Sequence, residues 1–118
     1  ATLTARVFFD YDQSTITPEG ERLLRDKVEI LRNNAGVRIR VEGHADERGS
    51  TEYNVALGNR RAESVVRFLT SFGVDASRFT TTSYGEERPM ERGETEAAFA
   101  RNRRAEFVVT AGESSIGG

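Results

Sequence analysis

Apolar positions along the chain change their period several times, and each change marks an element. Thr4–Phe9 alternates, with Val7 and Phe9 on one face, and predicts a strand. Thr17-Pro18-Glu19 then reads as a helix start: Thr as N-cap, Pro at the first helical position, an acid in the first turn. Leu24, Val28 and Leu31 follow at i, i+4, i+7, the stripe of a helix with one dry side. Asn33-Asn34-Ala35-Gly36 ends it. Val37, Ile39 and Val41 alternate with Arg38, Arg40 and Glu42, which predicts a strand with one dry and one wet face.

A second helix is predicted from about Thr51 to Phe72, with Gly73 as its C-terminal stop and Ala62, Val65, Leu69 and Phe72 as its core stripe. Arg78–Tyr84 reads as a third strand. Glu86–Glu96 is a polar loop holding Pro89 and Gly93, followed by a short helical piece near Thr95–Arg101. Arg104–Thr110 is the last strand, with Ala105, Phe107 and Val109 on one face. The order is β-α-β-α-β-(α)-β, without internal repeat. Strands with one apolar face and two amphipathic helices predict an α+β fold, a two-layer sandwich with the helices on one face of a mixed sheet. The domain is expected to span residues 1–110. Residues 111–118 are Gly/Ser-rich and read as a flexible tail.

Composition narrows the function classes. At 118 residues the chain holds one domain with a real core, not two. The net charge is −2, against the basic excess that a nucleic-acid footprint needs. Charges of both signs are interspersed, as on a solvated surface. Cysteine is absent, which excludes a disulfide scaffold and a thiolate zinc site. No apolar run approaches the ~20 residues that span a bilayer, and no signal peptide is visible. The first predicted strand begins within a few residues of Ala1, so the chain reads as a domain excised from a longer protein.

The chemistry gathers at one junction. The second strand runs into the Gly-bounded loop Gly43-His44-Ala45-Asp46-Glu47-Arg48-Gly49, and a helix follows. Ligands collect beyond strand ends in folds of this kind, and glycines let them approach the backbone. Asn54, Leu57 and Arg61 share one face of that helix, near an N-terminus whose free amides favour an anion. Asp46 and Arg61 together suit a ligand carrying both an amine and a carboxylate, since arginine binds carboxylates bidentately. The plainer alternatives are an Asp46 that caps the helix or pairs with an arginine, and an Arg61 in a surface ion pair. Both residues lie outside the core stripes, so their replacement is expected to spare the thermal melt. His44 is the only histidine. Metal or general-base chemistry would need more ligands or a partnered nucleophile, and a hydrogen bond that fixes the loop is expected instead.

Several motifs, in order, resemble one known family. They are Phe9-Asp10, Gly43-His44-Ala45-Asp46-Glu47-Arg48-Gly49, Asn54-x-x-Leu57-Gly58-x-x-Arg61-Ala62, Ser83-Tyr84-Gly85, Pro89 and Asn102-Arg103-Arg104. The chain resembles the OmpA-like peptidoglycan-binding domains, nearest their peptidoglycan-associated lipoprotein branch. Ala45 and the Glu47-Arg48 pair favour that branch over porins and flagellar stator subunits. The resemblance implies the same sandwich fold and a non-enzymatic role, with no catalytic residues, metal or cofactor. The implied ligand is the diaminopimelate of the peptidoglycan stem peptide. Asp46 would take its amine and Arg61 a carboxylate. Asn54, His44 and Ala45 would add polar and backbone contacts, Leu57, Phe9 and Asp10 the walls. Arg104 is included with the site, although it reads as more structural than ligand-contacting. Further implications are a lipid anchor in the outer membrane, carried by a cysteine upstream, a periplasmic location and a TolB-like partner of the Tol system. The alternatives are the wall-binding domain of a larger porin or stator protein, or a wall hydrolase using Asp10, Asp12, Asp46 and Glu47. The role of the Glu86–Glu96 loop stays open.

Overall fold

The computed structural model describes residues 2–112. Its elements are β1 (Val7–Phe8), α1 (Pro18–Asn33), β2 (Arg38–His44), α2 (Thr51–Ser71), β3 (Phe79–Gly85), α3 (Glu96–Asn102) and β4 (Arg104–Ala111), with one 3-10 turn at Ala76–Arg78. The sheet order is β1-β4-β2-β3. β4 runs antiparallel to both β1 and β2, and β2 runs parallel to β3. The predicted mixed sheet is therefore present, and α1 and α2 cover one of its faces.

Helix α1 starts as its sequence dictates. The Thr17 hydroxyl accepts the Gly20 N–H at 3.0 Å, Pro18 opens the first turn, and Leu24, Val28 and Leu31 are buried. In α2 the Ser50 hydroxyl caps the Tyr53 N–H at 3.1 Å, and Ala62, Val65 and Leu69 face the sheet. The core combines these with Val7, Phe9, Val37, Ile39, Val41, Phe79, Ala105 and Phe107. α2 meets β2 at a glycine pair. A Cβ on Gly43 would lie 1.7 Å from the Gly58 carbonyl oxygen, so only glycine permits this approach. That contact seats the first turns of α2 against the end of β2 and fixes where Arg61 falls.

The first and last strands differ most from the sequence reading. The strand predicted over Thr4–Phe9 shrinks to Val7–Phe8, because residues 2–5 form a turn closed by Ala5 N–H on the Thr2 carbonyl at 3.2 Å. The carbonyls of Thr2, Leu3 and Ala5 converge instead on the fully buried Lys27 ammonium, at 2.8, 2.9 and 2.6 Å. β4 extends through Ala111, into the expected tail. The rest of that expectation, residues 113–118, lies outside the described residues.

The second face of the sheet carries charge in place of helices. Glu106 bridges Arg6 at 3.4 Å and Arg104 at 2.5 Å, and Arg40 pairs with Glu42 at 2.9 Å. His44 is buried beneath this layer beside Tyr84, with ring centroids 5.5 Å apart.

Candidate functional site

The β2–α2 loop and the β1–α1 turn meet at a small cleft of about 60 Å³. Its lining is Tyr11, Asp12, Ala45, Asp46, Arg48, Gly49, Tyr53, Asn54, Leu57 and Arg61. The Asp46 and Arg61 of the sequence reading are thus brought together, with Ala45, Asn54 and Leu57 around them.

Arg61 has no solvent exposure. Its Nε donates to the Gln13 carbonyl at 2.8 Å, Nη1 to the His44 carbonyl at 2.8 Å and Nη2 to the Asp10 carbonyl at 3.2 Å. The Phe9 ring lies 5.3 Å from its guanidinium carbon. Burial, and next the nearby Arg103 charge, lower its pKa to about 10, while Asp46 pulls the other way. Among the described residues no carboxylate reaches ion-pair distance of it. A guanidinium has five N–H donors, and three carbonyls leave two over. The result is a buried cation held by dipoles, facing a cleft.

Asp46 sits beside it, 5% exposed, but spoken for. Its Oδ1 accepts the Arg48 backbone N–H at 3.0 Å and Nε at 3.1 Å, and its Oδ2 accepts Arg48 Nη2 at 2.8 Å. Arg103 Nη1 stands 3.7 Å from Oδ2 and 2.9 Å from Glu96. Burial alone would raise the Asp46 pKa. The Arg48 hydrogen bonds, then the Arg48 and Arg103 charges, outweigh it and hold the carboxyl below its ordinary value. Arg48 itself is flanked by the Tyr11 and Phe99 rings at 4.0 and 4.3 Å. The plain alternative for Asp46, pairing with an arginine, is present, and it leaves one lone-pair direction on Oδ2 unclaimed.

Four sequence expectations fall elsewhere. The His44 backbone carbonyl belongs to the site, but its imidazole points to the charged face of the sheet. Neither ring nitrogen has a hydrogen-bond partner, so the loop-fixing bond expected of it is not made. Burial, and then the Arg104 charge, push its pKa down to about 4. The ring is therefore neutral, and Glu42, 4.0 Å away, is no ion-pair partner at neutral pH. Arg104 is on the same remote face, donating to Glu106, to the Asn102 carbonyl and to the Arg88 carbonyl, away from the cleft. Phe9 backs the Arg61 guanidinium from the core. Asp10 contributes only its carbonyl. The cleft wall assigned to Phe9-Asp10 is built by Tyr11 and Asp12 instead.

The sequence reading gave no place in the binding site to Tyr11, Asp12, Arg48, Tyr53 or Arg103. Asp12 takes φ +58° at the tip of the turn, and its carboxylate accepts the Tyr53 hydroxyl. A signal for Tyr53 was present, since it stands four residues before Leu57 and eight before Arg61, on their face of α2. For Arg48 the signal is the Asx turn: an aspartate binds the N–H two residues on. The loop before α3 has a definite place too. Glu86 accepts from Asn54 Nδ2 at 3.3 Å and from the Thr51 hydroxyl at 3.0 Å. Glu86, Glu87, Pro89 and Glu91 line a second cavity of about 240 Å³ that shares Ala45 with the cleft.

A polar cleft at the carboxyl end of a parallel strand, on a mixed sheet covered by helices on one face, defines a two-layer α+β domain with buried charged side chains gathered at that strand end. The family is equally definite. The sequence model of the OmpA family matches residues 8–103, and the chain belongs to that family. The peptidoglycan-associated lipoprotein of Legionella pneumophila is 45% identical over 103 residues, covering 87% of this chain and 58% of that protein. The chain thus spans well under two thirds of that relative's length. Among solved structures, the peptidoglycan-associated lipoprotein of Burkholderia pseudomallei superposes with a TM-score of 0.86 at 38% identity, covering 89% of each chain. The C-terminal domain of Helicobacter pylori MotB superposes at 0.84, covering 93% of this chain and 87% of that one; at 20% identity this likeness concerns the fold.

Proposed function

We propose that this domain binds peptidoglycan non-covalently, through the side-chain end of diaminopimelate in the stem peptide. The observation that carries the reading is Arg61, a fully buried guanidinium with donors to spare and no acid on it, opening into the same cleft as Asp46. A carboxylate is the group that completes such a cation. An ammonium beside it would take the open Oδ2 direction of Asp46. Diaminopimelate carries both on one carbon, and the cleft is small enough to hold little more. Asn54 and the backbone of the 43–49 loop would supply the remaining polar contacts, and Leu57 and the Tyr11 and Tyr53 rings the walls.

The reading gives the domain no catalytic step. Two of the four acids a hydrolase would use are engaged: Asp46 is held deprotonated by Arg48, which suits it poorly to general-acid work, and Asp12 is bound by Tyr53. In the longer protein the domain would tether the outer membrane to the wall through an upstream lipid anchor. Its periplasmic partner would be a TolB-like protein of the Tol system. Both follow from similarity to the lipoproteins.

The test is calorimetric titration of three stem peptides, with diaminopimelate, with lysine in its place, and with diaminopimelate amidated at the side-chain carboxylate. Lysine and the amide leave Arg61 unpaired, so both are expected to bind at least about tenfold more weakly, about 1.4 kcal/mol. Equal affinities for the three would remove Arg61 from the ligand and the reading with it. Incubation with purified sacculi tests the absence of catalysis: the domain should co-sediment and release no soluble muropeptides.

A further inference from the structure

The two edges of the sheet are unequally guarded. The β1 edge is only two residues long, with Arg6 before it and Asp10 two residues beyond, the kind of short, charged edge that resists pairing. The β3 edge is seven residues, Phe-Thr-Thr-Thr-Ser-Tyr-Gly, with no charge and no proline. It pairs with β2 alone, in regular register from Phe79 to Ser83. Thr80 and Thr81 are exposed. An edge of this length and composition presents a row of unused N–H and C=O groups.

A groove of about 610 Å³ runs beside it, lined by Phe79, Thr80 and Thr81 from the strand and by Glu63, Val66 and Arg67 from α2. Glu63 and Arg67 are both exposed, and neither forms an ion pair among the described residues; Arg67 donates only to the Ser64 hydroxyl, at 3.1 Å. The patch therefore offers an apolar floor, one free acid and one free base a helical turn apart.

We propose that the β3 edge is a self-association surface, on which a second copy of this chain pairs its own β3 antiparallel across a two-fold axis. A two-fold interface must be self-complementary, each residue meeting its counterpart's partner. Here Glu63 of one copy meets Arg67 of the other, and the reverse, while Val66 and Thr81 close the centre. α2 packs over both β2 and β3, so pairing the two edges brings the α2 helix of each copy beside the other's. The surface is separate from the Asp46–Arg61 cleft, which stays open in such a dimer.

The experiment is sedimentation velocity on the intact chain over a concentration series reaching about 1 mM, the regime of small interfaces. A concentration-dependent dimer is expected, and Thr81→Lys, which puts a charge on the edge, should abolish it. Glu63→Arg and Arg67→Glu should each weaken it at least about tenfold. The double variant should recover it, and an equimolar mixture of the two single variants should form the heterodimer in preference to either homodimer. All are exposed positions, so the thermal melts check that the fold is kept. A chain that stays monomeric throughout overturns the proposal. So does a dimer that survives Thr81→Lys, or one indifferent to both charge reversals.

Discussion

The Arg61 guanidinium and the Asp46 carboxylate share one cleft without pairing with each other: backbone carbonyls hold the first and Arg48 holds the second. The two residues consequently differ in what they do for the fold. Arg61 ties together the carbonyls of Asp10, Gln13 and His44, so it clamps the β1–α1 turn to the end of β2. Arg61→Ala would orphan those acceptors in the interior, at a cost of about 3–5 kcal/mol. The expectation that replacing Arg61 spares the melt therefore does not follow from this geometry. Asp46→Asn keeps shape and volume and should cost about 1–2 kcal/mol while removing sacculus pull-down. Arg61→Lys retains the charge without the fork and is the fair binding test. Thermal melts of the three variants beside pull-down check the ranking.

His44 makes stability depend on pH in a definite window. Its folded pKa, about 4, lies below its ordinary 6.5. The unfolded chain therefore binds a proton that the folded one refuses, and stability falls as pH drops from 6.5 through 4. The full separation corresponds to about 3 kcal/mol. His44→Phe, stacked on Tyr84, should flatten this part of the profile. Denaturant midpoints of both proteins at pH 7 and pH 4.5 give the difference, and parallel losses would contradict it.

The Gly43–Gly58 contact predicts two opposite outcomes for one substitution type. Gly43→Ala drives a methyl into the Gly58 carbonyl, backbone against backbone, and should cost more than about 3 kcal/mol or prevent folding. Gly36→Ala meets nothing within 4 Å and should be neutral or stabilising by up to about 1 kcal/mol. Chemical unfolding of the pair is the measurement.

Lys27 carries its charge at the bottom of the core, over the Phe107 ring at 4.2 Å. Burial lowers its pKa to about 8. Lys27→Met keeps length and apolar volume but leaves the Thr2, Leu3 and Ala5 carbonyls without their donor. A loss of about 2–4 kcal/mol is expected, with amide exchange speeding up first in residues 2–8.

The sequence made the layers legible because their signals are periodic. The i, i+4, i+7 stripe of Leu24, Val28 and Leu31 and the alternation of Val37, Ile39 and Val41 each name a buried face. What it could not show is where irregular backbone turns. The wall of the cleft slipped from Phe9-Asp10 to Tyr11-Asp12 because β1 stops at Phe8 and the chain doubles back at Asp12. Lys27 escaped notice for a similar reason: an ammonium is placed inside by converging carbonyls, and no pattern encodes their convergence. His44 is the instructive case. Its parity with Arg38, Arg40 and Glu42, opposite to Ile39, Val41 and Gly43, already put its ring on the uncovered face of the sheet. The Gly-bounded loop around it marks the cleft on the other side, which only its carbonyl reaches.

The Lys27 clamp also has a mechanical consequence. A force pulling outward on the chain ahead of Thr2 reaches the three charge-assisted hydrogen bonds on Lys27 before it reaches the two-residue pairing of β1 with β4. That ladder alone would unzip bond by bond. Through Lys27 the load passes sideways into the middle of α1, and from Leu24, Val28 and Leu31 into the core, so that yielding requires several contacts to fail at once.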